Sequence, residues 1–271
     1  MPHRTSLRVG LAGLGAVGLE VAKRLIDGID GLTLTAVAVR DADKARRALP
    51  QIGDMIALRT AAALADDCDV VVECLPPALF RDIAIAAIDK GRIFMPLSVA
   101  QLLDNGDLIE RAKQTGARIV VPTGALLGLD AVRAAAEGTI HSVKMVTRKP
   151  PAGLDGAPYL REHNISVVGL TAPLKVFGGS ARDGARGFPT NVNVAAALSL
   201  AGIGPDRTSL EIWADPGVTR NTHTITVDAD TMRFTMTIEN VPSANPRTGK
   251  SVAPSTVAAL RGLVSELKVG S

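Results

Sequence analysis

Leu7-Arg8-Val9-Gly10-Leu11-Ala12-Gly13-Leu14-Gly15-Ala16-Val17-Gly18 is the stretch on which the fold turns. Leu7 to Ala12 is a short apolar run that stops at glycine, and from Ala16 to Asp27 the residues Val17, Val21 and Leu25 share one helical face. The order is therefore strand, glycine turn, helix. Gly13 permits the tight turn, Gly15 lets the main chain approach a pyrophosphate with no Cβ in the way, and Gly18 lets the helix lie close to the strand. The free N–H groups and positive dipole end of the helix then face the phosphates. Gly13, Leu14, Gly15, Ala16, Val17 and Gly18 are the expected dinucleotide-contacting positions.

Working outward, Leu32 to Val39 (LTLTAVAV) reads as a buried strand, and Asp41 to Leu49 as a short helix closed by Pro50. A further short helix is expected over Thr60 to Ala65. Asp69 to Leu75 (DVVVECL) is a strand stopped by Pro76-Pro77, followed by a helix from Ala78 to Lys90. Ile93 to Met95 and Arg118 to Val121 are further strands, with a helix expected over Ala100 to Thr115 between them. Strands alternating with helices in this way specify a Rossmann-type, doubly wound parallel sheet.

The pattern changes after Gly124. Leu129 to Glu137 is helical, His141 to Arg148 alternates as a half-exposed strand, and Pro150 begins a loop of about 20 residues with little regular pattern. Leu174 to Phe177, Ser209 to Ala214, Thr222 to Val227 and Met232 to Ile238 read as strands close enough to pair antiparallel. Thr190 to Ala201 reads as an alanine-rich helix. A second, α+β domain with a mainly antiparallel sheet is expected, and Val252 to Leu267 is a last amphipathic helix able to pack on either domain.

The 271 residues are 46% hydrophobic and 21% charged, enough for sizeable cores and unlike a disordered or coiled-coil chain. Thirty Lys and Arg against 27 Asp and Glu give a net charge of +3, and aromatics are only 3%. That is no footprint for nucleic acid, which needs a basic stripe or stacking rings. No apolar run is long enough to span a membrane, and the amino terminus has no secretory cleavage pattern. The two cysteines, Cys68 and Cys74, bracket one apolar run and suit small core residues in a reducing cytoplasm. Metal chemistry has no constellation here: HExxH, CxxC and ligand-spaced carboxylates are absent, as is a GxSxG nucleophile turn.

At the tip of the second strand, where an acidic residue would bond the ribose hydroxyls of NAD, stands Arg40, followed by Asp41. An arginine there pairs with a 2′-phosphate and stacks on adenine, so NADP is expected to be accepted alongside NAD. Of the four histidines, His3 lies in the terminal tail, His141 begins a strand and His163 falls in the long loop. His223 enters a strand from a polar turn, where it is either a proton-transfer group or a strand-end residue bonded to a carbonyl. Asn191 and Asn193, after Pro189, either cap a helix or bond a carboxamide or carboxylate with an amide.

Taken together, these stretches resemble the L-aspartate dehydrogenase family. The resemblance runs in order through Gly10 to Gly18, Pro96-Leu97-Ser98-Val99-Ala100, and Pro122-Thr123-Gly124-Ala125-Leu126-Leu127-Gly128-Leu129-Asp130-Ala131. It continues through Thr147-Arg148-Lys149-Pro150-Pro151, Phe188-Pro189-Thr190-Asn191-Val192-Asn193-Val194-Ala195-Ala196 and Ala214-Asp215-Pro216, to Asn221-Thr222-His223. The glycine turn is shared by many dinucleotide enzymes; the Thr-Arg-Lys-Pro-Pro, Asn-x-Asn and Asn-x-His segments are far more specific. The resemblance implies that His223 is the active-site histidine and that Ala125 and one of Asn191 and Asn193 contact the cofactor. It also implies a dinucleotide-binding domain over 1–123, a catalytic and dimerisation domain over 124–240, a final helix within 241–271 returning to the first domain, and a homodimer. Arg40 departs from the commoner acidic residue and speaks against strict NAD preference.

The implied reaction is NAD(P)-dependent oxidation of L-aspartate to iminoaspartate, then to oxaloacetate and ammonia, reversible as reductive amination and linked to de novo NAD synthesis. The substrate's carboxylates call for cations, and Arg148, Lys149, Arg161, Lys175, Arg182 and Arg220 are the candidates. Two other readings remain in play. One is a similar two-domain enzyme on another substrate, such as a dihydrodipicolinate reductase; the other is a non-catalytic NAD(P)-sensing module.

Overall fold

A computed structural model describes residues 6–189, 192–241 and 249–270. The chain divides into two compact units, Met1–Pro122 with Ala253–Val269, and Thr123–Val252 with Gly270–Ser271.

The first unit is built on β1 (Leu7–Ala12), β2 (Leu32–Ala38), β3 (Ala57–Arg59), β4 (Val70–Glu73), β5 (Ile93–Pro96) and β6 (Arg118–Ile119). Their order is β3-β2-β1-β4-β5-β6 and every ladder is parallel. Parallel neighbours require crossovers, and α1 (Ala16–Ile26), α2 (Ala42–Ala48), α3 (Phe80–Asp89) and α4 (Asp107–Thr115) follow β1, β2, β4 and β5. The strand order reverses between β1 and β4. In such sheets ligands bind beyond the carboxyl ends of the strands at that switch, which is where the glycine turn and Glu73 fall.

The helix expected over Ala100 to Thr115 is two pieces, a 3₁₀ segment Val99–Leu103 and α4. Asp104-Asn105-Gly106 breaks it, with Asn105 Nδ2 donating to the Gln101 carbonyl at 2.8 Å. Cys68 is fully buried, and its thiol donates to the Leu64 carbonyl at 3.1 Å. Burial pushes that thiol up to about 12.

The second unit has five strands, β7 (Ile140–Lys149), β8 (Leu174–Ser180), β9 (Thr208–Ala214), β10 (Asn221–Ala229) and β11 (Arg233–Asn240), in the order β11-β10-β7-β9-β8. Three ladders are antiparallel and one, β7 with β9, is parallel. The helices are α5 (Leu129–Ala136), α6 (Pro158–Glu162), α7 (Ala181–Gly187) and α8 (Asn193–Ala201). The expected structureless loop after Pro150 contains a 3₁₀ turn, Pro151–Gly153, and α6, which opens on Pro158. Sequence reading passes over α7 because two glycines dilute its spacing; Ser180 Oγ caps it, accepting from the Asp183 N–H at 3.1 Å.

Period-two alternation sorts this sheet into two faces. Val143 and Met145 of β7, Ile225 and Val227 of β10, and Leu210 and Ile212 of β9 are buried on one face. The other face carries threonine pairs, Thr224 with Thr237 at 3.1 Å and Thr226 with Thr235 at 3.2 Å, and the ion pairs of Glu211 with Lys144 and Lys175. The last helix, α9 (Val252–Gly262), contributes Ala253, Val257 and Leu260 to the core cluster of the first unit, which also holds Val9, Leu11, Leu25 and Val72. No helix among the described residues is long and apolar enough to cross a membrane.

Candidate active site

In the first unit the glycine turn follows β1. Gly13 has φ +98°, and a Cβ there would stand 2.7 Å from the Cys74 carbonyl oxygen. A Cβ on Gly18 would stand 2.1 Å from the Gly13 carbonyl oxygen, so glycine is what allows α1 to start against the turn. Gly15 differs: its φ is −72°, and a Cβ there would meet nothing within 4 Å. Its lack of a side chain answers to no neighbour in the protein and leaves exposed space at the tip of the helix. Gly15 is the N-cap of α1 and supplies no side-chain cap, which leaves the first-turn N–H groups turned outward. The Gly13 N–H donates to the Ala38 carbonyl at 2.8 Å, tying the turn to β2. Bare amides, a helix dipole and open space beside Gly15 fit a dinucleotide's pyrophosphate. Leu14 and Val17 are half-buried, and Ala16 is exposed.

Arg40 is exposed, two residues beyond β2. The acidic residue after it is already engaged, because Asp41 caps α2 by accepting from the Lys44 N–H at 2.9 Å. The tip of β2 thus presents the Arg40 guanidinium, with the Asp41 carboxylate directed to the N-terminus of α2.

Glu73, at the carboxyl end of β4, is fully buried. One carboxylate oxygen accepts from the Leu75 N–H at 2.7 Å and the Ser98 hydroxyl at 3.1 Å, and the other from the Ser98 N–H at 3.0 Å. Burial raises its pKa above the ordinary carboxylate value, while those donors oppose the rise. Glu73 thus fastens together the loops that follow β4 and β5. Sequence reading missed it, although a carboxylate inside the run Val70-Val71-Val72-Glu73 is itself a signal.

In the second unit a polar cluster occupies one end of the sheet's buried face. His223 of β10 pairs with Thr147 of β7, and Thr147 Oγ1 shares a hydrogen bond with His223 Nδ1 at 3.1 Å. That bond engages the ring through Nδ1 and leaves Nε2 outside it. Two residues along β7, on the same face, Lys149 is 4% exposed. Asn221 and Asn240, paired across β10 and β11, are also buried. Burial first, and the Lys149 charge second, push His223 down from 6.5 to about 3, so the ring is neutral at physiological pH. Burial likewise pushes Lys149 down from 10.5 to about 8.

Ala125 lies in the turn before α5, half-buried, and its carbonyl accepts from Asn240 Nδ2 at 2.8 Å. The Asn240 Oδ1 accepts in turn from the Ser251 hydroxyl at 2.7 Å, so one asparagine holds that turn to the end of β11. Asn193 is the first residue of α8, half-buried; the N-cap is Val192, which offers no side-chain cap. Asn191 lies outside the described residues, as does His3. His141 and His163 are exposed, the latter stacked on Tyr159 at 3.8 Å between ring centroids.

Residues 130–263 match the family model described as aspartate dehydrogenase, C-terminal, and residues 13–122 match that described as homoserine dehydrogenase, NAD binding domain. The chain is 53% identical over 267 residues to the L-aspartate dehydrogenase of Bradyrhizobium diazoefficiens, covering 98% of this chain and 95% of that one. The chain belongs to the aspartate dehydrogenase family. It is also 50% identical over 272 residues, the full length of both chains, to L-aspartate dehydrogenase 3 of Bordetella bronchiseptica. The crystal structure of aspartate dehydrogenase from Thermotoga maritima matches the fold with a TM-score of 0.73 at 21% identity, covering 97% of this chain and 99% of that one.

Within this family member the six candidate cations separate by environment. Arg148 lies on the face of β7 opposite to Lys149, bonded to Asp215 at 3.0 Å and 4.8 Å over the Trp213 ring. Lys175 is 3.5 Å from Glu211, Arg182 is bonded to Asp206 at 2.6 Å, and Arg220 is 3.7 Å from Glu239. Arg161 is exposed on α6. Of the six, Lys149 alone shares the buried face with His223. The signal was available in the alternation Val143, Met145, Thr147, Lys149, which carries a lysine onto the inward side of a strand.

Proposed function

We propose that this chain catalyses the NAD(P)-dependent oxidation of L-aspartate to iminoaspartate, which water converts to oxaloacetate and ammonia, and the reverse reductive amination. The observation that carries this reading is His223: a buried, neutral imidazole fixed through Nδ1 by Thr147, in the unit matched by the aspartate dehydrogenase model. A bound nicotinamide supplies the hydride acceptor. The chain's own residues do the rest. The first-turn N–H groups of α1 and the open backbone at Gly15 would hold the pyrophosphate, with Gly13 and Gly18 shaping that turn, and Arg40 would meet a 2′-phosphate, so that NADP is used alongside NAD. His223 Nε2 handles the proton, at the substrate amine or at the water that attacks the imine. Neutral in the free protein, the ring gains basicity when a dicarboxylate brings negative charge beside it. Ala125 and one of Asn191 and Asn193 belong to the cofactor-contacting set.

The wider setting follows from the same reading. The enzyme is a cytoplasmic homodimer linked to the synthesis of NAD, in keeping with two unpaired thiols. The test is an initial-rate assay of NAD⁺ and NADP⁺ reduction with L-aspartate against other amino acids. Reduction with L-aspartate is expected with both nucleotides. Turnover of another amino acid with none on L-aspartate overturns the substrate assignment.

A further inference from the structure

Two buried asparagines face each other across β10 and β11, and the protein uses only one of them. Asn221 is 7% exposed and Asn240 3%. Asn240 is engaged at both ends of its amide: Nδ2 donates to the Ala125 carbonyl at 2.8 Å, and Oδ1 accepts from the Ser251 hydroxyl at 2.7 Å. The Asn221 main chain belongs to the sheet, but its carboxamide makes no hydrogen bond among the described residues. Its amide atoms are not sealed off either. Among the described residues, the fully enclosed side-chain polar atom without a partner is Gln51 Oε1. The slight exposure of Asn221 therefore includes its Oδ1 and Nδ2, which border accessible space. A carboxamide brings two N–H donors and one carbonyl acceptor, and buried amides ordinarily use them.

The place of this idle amide gives it a use. The alternation of β10 puts Asn221 on the same face as His223, two residues before it and about 7 Å along the strand. His223 Nε2 lies outside the bond to Thr147. One face of one strand thus offers an open ring nitrogen and an open amide within the span of a small molecule. Stability does not account for the asparagine: it is a poor strand former, and an apolar side chain of its size would carry no polar group to desolvate. A residue that costs stability and has no partner inside the protein is suited to a partner that arrives. We propose that Asn221 is a substrate-binding residue, whose amide N–H groups donate to a carboxylate of the dicarboxylate substrate and hold its carbon chain against His223. The proposal rests on the dehydrogenase reading above and adds a specificity determinant to it. A bond from N–H to a carboxylate is charge-assisted, whereas the donor itself stays neutral, so it works without a change of protonation.

The experiment uses the whole enzyme at pH 8, with succinate as a dicarboxylate that has no amine to oxidise. Asn221→Leu keeps the size and removes the donors; Asn221→Asp keeps the shape and sets a carboxylate against a carboxylate. Asn240→Ala, which breaks two internal bonds, is the structural control. In Asn221→Leu, KM for L-aspartate and the dissociation constant for succinate, measured by calorimetry with NADP⁺ bound, both rise about 10-fold or more. The NADP⁺ dissociation constant is unchanged, and the urea midpoint equals or exceeds that of wild type. Asn221→Asp binds succinate more weakly still. Asn240→Ala unfolds at lower urea. Unchanged KM and succinate affinity in Asn221→Leu overturn the proposal. A loss confined to NADP⁺ affinity also overturns it, by assigning the amide to the cofactor. So does a urea midpoint for Asn221→Leu as low as that of Asn240→Ala, since the amide is then bonded within the protein. A wild type that binds succinate through Asn221 yet fails to oxidise L-aspartate sinks the dehydrogenase reading and leaves this proposal standing; one that binds no succinate overturns the proposal.

Discussion

The buried neutral ring of His223 sets a pH dependence of stability that can be worked through. The imidazole titrates near 6.5 in the unfolded chain and near 3 in the folded one. Above pH 6.5 both states hold a neutral ring and the group contributes nothing. As pH falls below 6.5 the unfolded state takes up a proton that the folded state refuses, and stability is lost steadily until about pH 3. Between pH 7 and pH 5 the loss from this residue is about 2 kcal/mol. His223→Gln has no titrating group and keeps an amide able to bond Thr147, so it lacks this loss. The assay is urea unfolding of both proteins at the two pH values, followed by the fluorescence of Trp213. That residue is the only tryptophan of the chain and lies in β9, in the same sheet as His223. The difference between the proteins in their response to pH isolates His223 from Glu73 and other groups common to both. If the two stability curves run parallel from pH 7 to pH 5, within about 0.5 kcal/mol, the ring is not held neutral by burial and its part in proton transfer needs another basis. In the same variant, turnover is expected to fall roughly 10²–10⁴-fold with nucleotide affinity intact.

Two further perturbations address the first unit. Gly15→Ala is expected to leave unfolding within about 0.5 kcal/mol of wild type, since its Cβ meets nothing, yet to weaken dinucleotide binding measured by calorimetry. Gly18→Ala, whose Cβ falls 2.1 Å from the Gly13 carbonyl oxygen, is expected to destabilise the unit itself by about 1–3 kcal/mol; equal stability of the two variants would contradict the contrast. Arg40→Asp should raise the dissociation constant for NADP⁺ about 10-fold or more while changing that for NAD⁺ far less, and a uniform loss for both nucleotides would remove Arg40 from 2′-phosphate recognition.

The parts of this molecule that could be read from its sequence are those where local pattern and tertiary demand agree. The runs around Val9, Val37 and Val72 are buried on both faces and stand out as strands, and glycines mark where α1 begins and where α4 ends at Gly116. Features that depend on partners distant in sequence were not legible in this way. Strand β3 is three residues long and exists because β2 offers it an edge. The parallel pairing of β7 with β9 leaves no local trace, because Thr208 resembles any strand start. At the site, His223 and the glycine turn were marked by residue type. Lys149 was one of six equivalent cations until the register of β7 against β10 put it on the inward face, and Glu73 and Asn240 draw their roles from Ser98, Ala125 and Ser251 far along the chain.

The helix α9 has a consequence for how the chain comes into being. The first unit's apolar centre is completed from both sides of the inserted unit Thr123–Val252, since Val257 and Leu260 share one core cluster with Val9 and Val72. On a ribosome emitting about 5–20 residues per second, the six-stranded sheet waits roughly 6 to 26 seconds for its final piece, while the inserted unit has all its strands to hand. A stalled or nicked product ending before Ala253 would lack Ala253, Val257 and Leu260, leave the rest of that apolar cluster incompletely filled, and so offer more apolar surface to chaperones and proteases than the full chain does.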